Sequence, residues 1–176
     1  MTFFTSHKAK WIVCGPLMAV ILLFDQVTKQ IAYAALKDGS IEVLPFFNLV
    51  LVWNRGVSFG MMQQADKYGP YILSVLSLAI AVGLFIWLMR SNVRLLTLAL
   101  AAVIAGAVGN VIDRLTYGAV IDFLDFHAFG YHWPAFNIAD SSIVIGIAII
   151  AFDSVILEPK RSQDTKSTEE IQTNDA

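Results

Sequence analysis

Charged residues make up only 15% of this 176-residue chain, and cysteine appears once, as Cys14. Soluble domains carry nearer ~25% charge. Such scarcity beside 57% hydrophobic residues excludes an ordinary soluble domain and points to an integral membrane protein. A single cysteine excludes an intramolecular disulfide and a metal site built from several cysteines. Cys14 lies in an apolar run, where cysteine behaves as a small hydrophobe. It does not read as a lipid-attachment site. Only Trp11, Ile12 and Val13 separate it from Lys10, against ~7–15 apolar residues in a signal peptide. Basic excess is absent too. The net charge is −2, and five acids against three bases from Glu158 to Ala176 account for it, so nothing marks a nucleic-acid footprint. No Gly-rich phosphate loop and no HExxH is present. His127 and His132 are five apart and read as interfacial loop residues. Ser141 and Ser142 show no His or Lys partner and read as structural hydroxyls. Neither a metal nor another cofactor is expected.

What is present is apolar length. About 20 helical residues cross ~30 Å of hydrocarbon. Four segments are long enough, at about 11–35, 71–89, 95–112 and 138–157. Residues 36–68 differ: they are rich in β-branched and aromatic residues and broken by Pro45, Asn54 and Gly56. They predict two or three short strands at the membrane surface, with Asn54-Arg55-Gly56 as a turn between strands. The predicted fold is mainly α: four transmembrane helices, with a small extracytoplasmic β-sheet between the first and second. Residues 1–158 form a single membrane-embedded domain. Residues 159–176 are polar and without periodicity, and read as a disordered cytoplasmic tail. Cutting after Pro159 is expected to leave activity intact.

Polar residues interrupt this pattern in a few places. Asp25 and Lys29 lie four apart inside the first span, in the favourable acid-first order. They fit either a self-neutralising ion pair or a polar face turned to a cavity. Gly106 and Gly109 permit close helix packing in the third span. Asn110, Asp113 and Arg114 follow, the last two as an ion pair, a headgroup contact or part of a site. Asp153 reads as an ordinary interfacial residue. Orientation follows from the bases. Lys8, Lys10, Arg90, Arg94, Lys160, Arg161 and Lys166 fall on the side of both termini, which places that side in the cytoplasm. Asp25, Lys29, the 36–68 segment, Asn110, Asp113, Arg114, Asp122, Asn137 and Asp140 then gather at the opposite face.

Four aspartates fall in the 28 residues from Asp113 to Asp140. Carboxylates at the edge of hydrocarbon are costly and suggest a site. Two carboxyls sharing a proton titrate apart, so one serves as base on a water and the other as acid. Asp122 lies just past the third span and Asp140 opens the fourth, with a loop of 17 residues between them that can bring them together. By spacing alone Asp113 or Asp125 serves as well as Asp122. A proton-coupled transporter with a carboxylate relay is the alternative. Transporters place such groups near the midplane within repeats, and no repeat is evident here.

The segments DQVTK (25–29), NRGVSFG (54–60), GNVIDR (109–114), VIDF (120–123) and FNIAD (136–140) resemble the motifs of signal peptidase II, the bacterial lipoprotein signal peptidase. The resemblance covers roughly residues 11–157, in the family's order. Val57-Ser58 departs from the paired small residues usual there. The resemblance implies a membrane aspartyl endopeptidase of the bacterial inner membrane. It implies Asp122 and Asp140 as the catalytic pair. It also implies that Asp25, Lys29, Asn54, Gly56, Asn110, Asp113, Arg114, Asn137 and Ala139 shape the site or hold substrate. Asp125 matches no motif. The implied substrate is a prolipoprotein whose cysteine carries diacylglycerol, cut on the amino side of that cysteine. Implied partners are these precursors and membrane lipids, and the chain is expected to be a monomer. Which aspartate holds the proton is left open.

Overall fold

A computed structural model describes residues 4, 6–56, 65–161 and 163. Four helices run α1 (His7–Leu36), α2 (Ala65–Arg90), α3 (Arg94–Tyr117) and α4 (Ile138–Phe152). Each belongs to a helical stretch long and apolar enough to cross a membrane. The most apolar window of α3 is 67% buried, against 11–17% for the others, so α3 is the central helix. It packs on α1, α2 and α4. Gly106 and Gly109 allow the tight α3 contacts. A Cβ on Gly109 would stand 2.7 Å from Asp25 Oδ2. Cys14 is buried among Leu100, Ile104 and Leu88, a small hydrophobe in the core.

The end of the bundle that carries both termini holds two surprises. Lys10 is not a water-facing residue. It is 2% exposed, and its ammonium donates to Met89 O at 2.8 Å, near the end of α2. A cation there meets carbonyls the helix leaves unpaired. Asp153 is buried, not interfacial, in a π-helical turn (Asp153–Leu157) that prolongs α4. Arg161 donates to both its oxygens, at 2.8 and 2.7 Å. The fourth helical stretch therefore reaches Arg161, beyond the expected start of the tail. Removing residues 164–176 is expected to leave thermal unfolding in detergent unchanged. Cutting after Pro159 removes Arg161, strands a buried carboxylate and is expected to cost about 1–3 kcal/mol. Equal unfolding of the two truncations would contradict this.

The sheet is larger than the sequence predicts, and its strands come from two places. β1 (Ile41–Leu44) and β2 (Phe47–Asn54) lie between α1 and α2, as expected. β3 (Val120–Ala128) and β4 (Tyr131–His132) occupy the segment read as a tethering loop. All four join in antiparallel order β1-β2-β3-β4. The signal was legible: VIDFLDFH is rich in β-branched and aromatic residues and bounded by Gly118 and Gly130. Asn54 ends β2, so Asn54-Arg55-Gly56 follows a strand; any strand after that turn lies outside the described residues, as do Val57-Ser58 and the tail from 164. α3 runs past Ile112 to Tyr117, which places Asp113 and Arg114 inside the helix, not beyond its end.

Candidate active site

The site begins in α1. Asp25 and Lys29 are both 0% exposed, so their polar face is turned into the protein. Lys29 Nζ uses its three donors on Asp25 (2.9 Å), Asp113 (2.9 Å) and Asn110 (3.0 Å). The ion pair is thus wider than the α1 spacing suggests. Asp113 pairs with Lys29, not with its neighbour Arg114. Asp113 also accepts from Ile121 N at 3.2 Å, which ties α3 to β3. Gln26, the second residue of DQVTK, donates to Asp113 at 2.9 Å and to Asp25 at 3.2 Å.

The first turn of α4 is the second anchor. Asn137 is its N-cap, and Asn137 Oδ1 accepts Asp140 N at 2.9 Å. Asp140 Oδ2 accepts Asn137 N in return at 3.2 Å, a reciprocal capping box. Asp25 Oδ1 accepts Ala139 N at 2.8 Å. Two carboxylates therefore meet the N–H groups and positive dipole end of one helix. Ala139 is 0% exposed and packs toward Gly109, which leaves no room for a larger side chain.

Strand geometry brings in Asp122. It lies opposite Val52 on β2, and Asn54 is two residues further along the same face. Asn54 Nδ2 donates to Asp122 Oδ2 at 2.9 Å. Gly56 N donates to Asn54 Oδ1 at 2.7 Å, which fixes the amide's orientation. Turn chemistry and site chemistry are one interaction here. Gly56 has φ +85, and a Cβ on it would overlap Leu73 Cδ1 and stand 3.8 Å from Arg114 Nη2. Only glycine fits comfortably.

Asparagines join the two aspartates. Asn137 Nδ2 donates to Asp122 Oδ1 at 2.7 Å, while Asn137 caps Asp140 from its other side. Asn110 Nδ2 donates to Asp140 Oδ1 at 2.8 Å. Lys29 has only donors, so it holds Asn110 Oδ1 toward itself and Asn110 Nδ2 toward Asp140. Asp140 remains partly exposed, whereas Asp122 is 1% exposed. Arg114 lies within the electrostatic reach of Asp140, Asp122 and Asp113. Its Nε is buried and has no hydrogen-bond partner among the described residues. Burial is the main cause that pushes the Asp122 carboxyl up to about 6. Hydrogen bonds from Asn54 and Asn137 oppose that shift, and the charge of Asp140 adds to it.

Asp125 stands apart from this cluster. It is three residues from Asp122 along β3, so the two side chains leave opposite faces of the strand. It faces Asn48 and His132, accepting at 3.1 and 2.9 Å. Burial pushes its carboxyl up, but these hydrogen bonds outweigh it and hold Asp125 below the ordinary range. His132 stacks on His127 with ring centroids 4.8 Å apart. Both histidines belong to the sheet, not to a loop.

The fold and this cluster define a multi-pass membrane protein with paired, unequally buried carboxyls at the junction of a helix bundle and a sheet. The sequence model for Signal peptidase (SPase) II matches residues 17–156. A lipoprotein signal peptidase of Paraburkholderia phymatum is 46% identical over 138 residues, 77% of this chain and 83% of that one. One from Methylobacterium radiotolerans is 42% identical over 153 residues, 85% and 88% of the two chains. A solved structure described as a bacterial membrane enzyme, at 1.9 Å by the in meso method, superposes with a TM-score of 0.74 at 30% identity. It covers 89% of this chain and 98% of that one. The chain belongs to the signal peptidase II family.

Proposed function

We propose that this protein is an aspartyl endopeptidase that removes signal peptides from diacylglyceryl-modified prolipoproteins, cutting on the amino side of the lipidated cysteine. The observation that carries the reading is the junction of Asp122 and Asp140 through Asn137, with one carboxyl buried and the other partly open. Such a pair holds one proton and splits the work of acid and base. Asp122, pushed up to about 6, holds a proton more readily than an ordinary carboxyl. Asp140, facing open space, takes a proton from the water that attacks the scissile carbonyl. Asp122 donates toward the oxygen of the tetrahedral intermediate. The proton on Asp140 then passes to the leaving amine as the C–N bond breaks, and Asp122 recovers its own as the carboxyl product forms. Arg114 Nε, buried and without a hydrogen-bond partner among the described residues, is a donor available once substrate enters. The site's position at one end of the bundle lets water reach chemistry while acyl chains stay in lipid. The distribution of bases supports termini in the cytoplasm and the site at the outer face.

The direct test incubates the purified chain with a diacylglyceryl-modified precursor and weighs the products. Cleavage before the modified cysteine is expected; intact precursor in both lipid and detergent would overturn the reading. The alternative transporter predicts proton-driven flux in liposomes without any product.

The pH dependence has a definite sign. Asp122 is raised in the folded protein, so its contribution to stability is full below about 4 and is lost as pH rises through about 6. As the proton donor it makes the rate fall over the same rise. Asn54 is one of the groups that lower the shift. Asn54→Ala is therefore expected to move the alkaline limb of kcat to higher pH, while lowering kcat itself. An alkaline limb unmoved or displaced to lower pH in the variant would contradict the role of Asp122 as acid.

A further inference from the structure

A groove of about 490 Å³ starts at Asp140 and runs between the segment Trp133, Pro134 and Phe136 and the side of α4 carrying Val144 and Ile145. Among the described residues on its wall, Asp140 is the sole ionisable one. Val144 and Ile145 are 66% and 59% exposed, on a helix apolar enough to cross a membrane. The groove thus has a polar head at the carboxylate pair and an apolar flank where hydrocarbon lies. Its size falls within the ~300–1,000 Å³ of ligand pockets.

We infer that this groove holds an acyl chain of the substrate's own diacylglyceryl group, and that Val144 and Ile145 set which chain lengths are processed well. The inference rests on the cleavage reading above. In that reading the modified cysteine is the first residue past the scissile bond, so its thioether and glyceryl lie within a few bonds of the carbonyl at Asp140. The acyl chains must leave the site beside Asp140, and they gain by staying out of water. A wall that is charged at one end and apolar along the rest matches a glyceryl ester with its chain. A free fatty acid or a phospholipid would bring an anion against Asp140.

Ile145→Trp and Val144→Trp narrow the groove from the lipid side and touch none of the carboxylate hydrogen bonds. Each purified variant and the parent would be given two precursors that differ only in acyl length, dihexanoyl and dipalmitoyl. For the dipalmitoyl precursor kcat/KM is expected to fall about tenfold, the effect of about two methylenes displaced from contact. For the dihexanoyl precursor the change is expected to stay within about twofold. Variants that leave the ratio between the two precursors unchanged overturn the inference alone. That covers an equal fall from general damage, and an ordinary bilayer lipid as occupant. A parent that cleaves neither precursor removes the activity reading and this inference with it.

Discussion

Asp122→Asn and Asp140→Asn are each expected to lower kcat by about 10²–10⁴-fold, the range of a lost acid or base. The protein should remain folded and membrane-inserted. Asparagine keeps the shape of aspartate and one acceptor oxygen. At position 140 that oxygen still caps the helix toward Asn137 N, now 3.2 Å from Asp140 Oδ2. At position 122 it still accepts from Asn137 or Asn54. What is lost is the exchangeable proton. The double variant should be hardly worse than either single one, because the pair acts as a unit. Product mass after incubation with a lipidated precursor measures the loss. Detergent unfolding of the same samples separates it from misfolding. Near-normal cleavage by either variant would remove that residue from the mechanism. Asp125→Asn is the internal control, since its carboxyl faces His132 and Asn48 on the other side of β3.

Lys29→Met is expected to destabilise the protein by about 3–5 kcal/mol, the effect of breaking a buried ion pair by removing one partner. Methionine nearly fills the volume but carries no charge. Asp25 and Asp113, whose side chains are each 1% exposed, would then share a dry space without their cation. Asn110 would also lose the donor that orients its amide toward Asp140. Activity should therefore fall together with stability. The Lys29→Met/Asp113→Asn double variant removes one stranded charge and should recover part of the stability, which denaturant unfolding in detergent measures as a coupling energy. A single variant within about 1 kcal/mol of the parent would show that the cluster is not held by its charges.

Much of this was readable in the sequence because membrane constraints are severe. About 20 apolar residues in a row have few alternatives to a spanning helix, so the four spans stood out. Their ends did not, because helices continue wherever polar groups find partners. α3 carries Asp113 and Arg114 a turn further than apolarity alone predicts, because Lys29 and Gln26 meet Asp113 there. Arg161 likewise extends the last helical stretch by pairing with Asp153. β3 stands where the spacing suggests a loop, because Asp122, Asp125 and His127 interrupt its apolar run. Paired to β2, they instead alternate between two faces.

By itself the sequence determined the class of protein, the number of spans, the grouping of carboxylates at one end, and through its five motifs the family. Only the tertiary structure decided which polar groups meet. Asp122 faces Asn54 because β2 and β3 pair in one register, and Asp125 turns away because side chains alternate along a strand. Lys29 reaches Asp113 and Asn110 because α1 lies against α3. These contacts join residues far apart in the chain, where spacing, which does foretell the local Asp25–Lys29 pair, carries no information about which side chains meet.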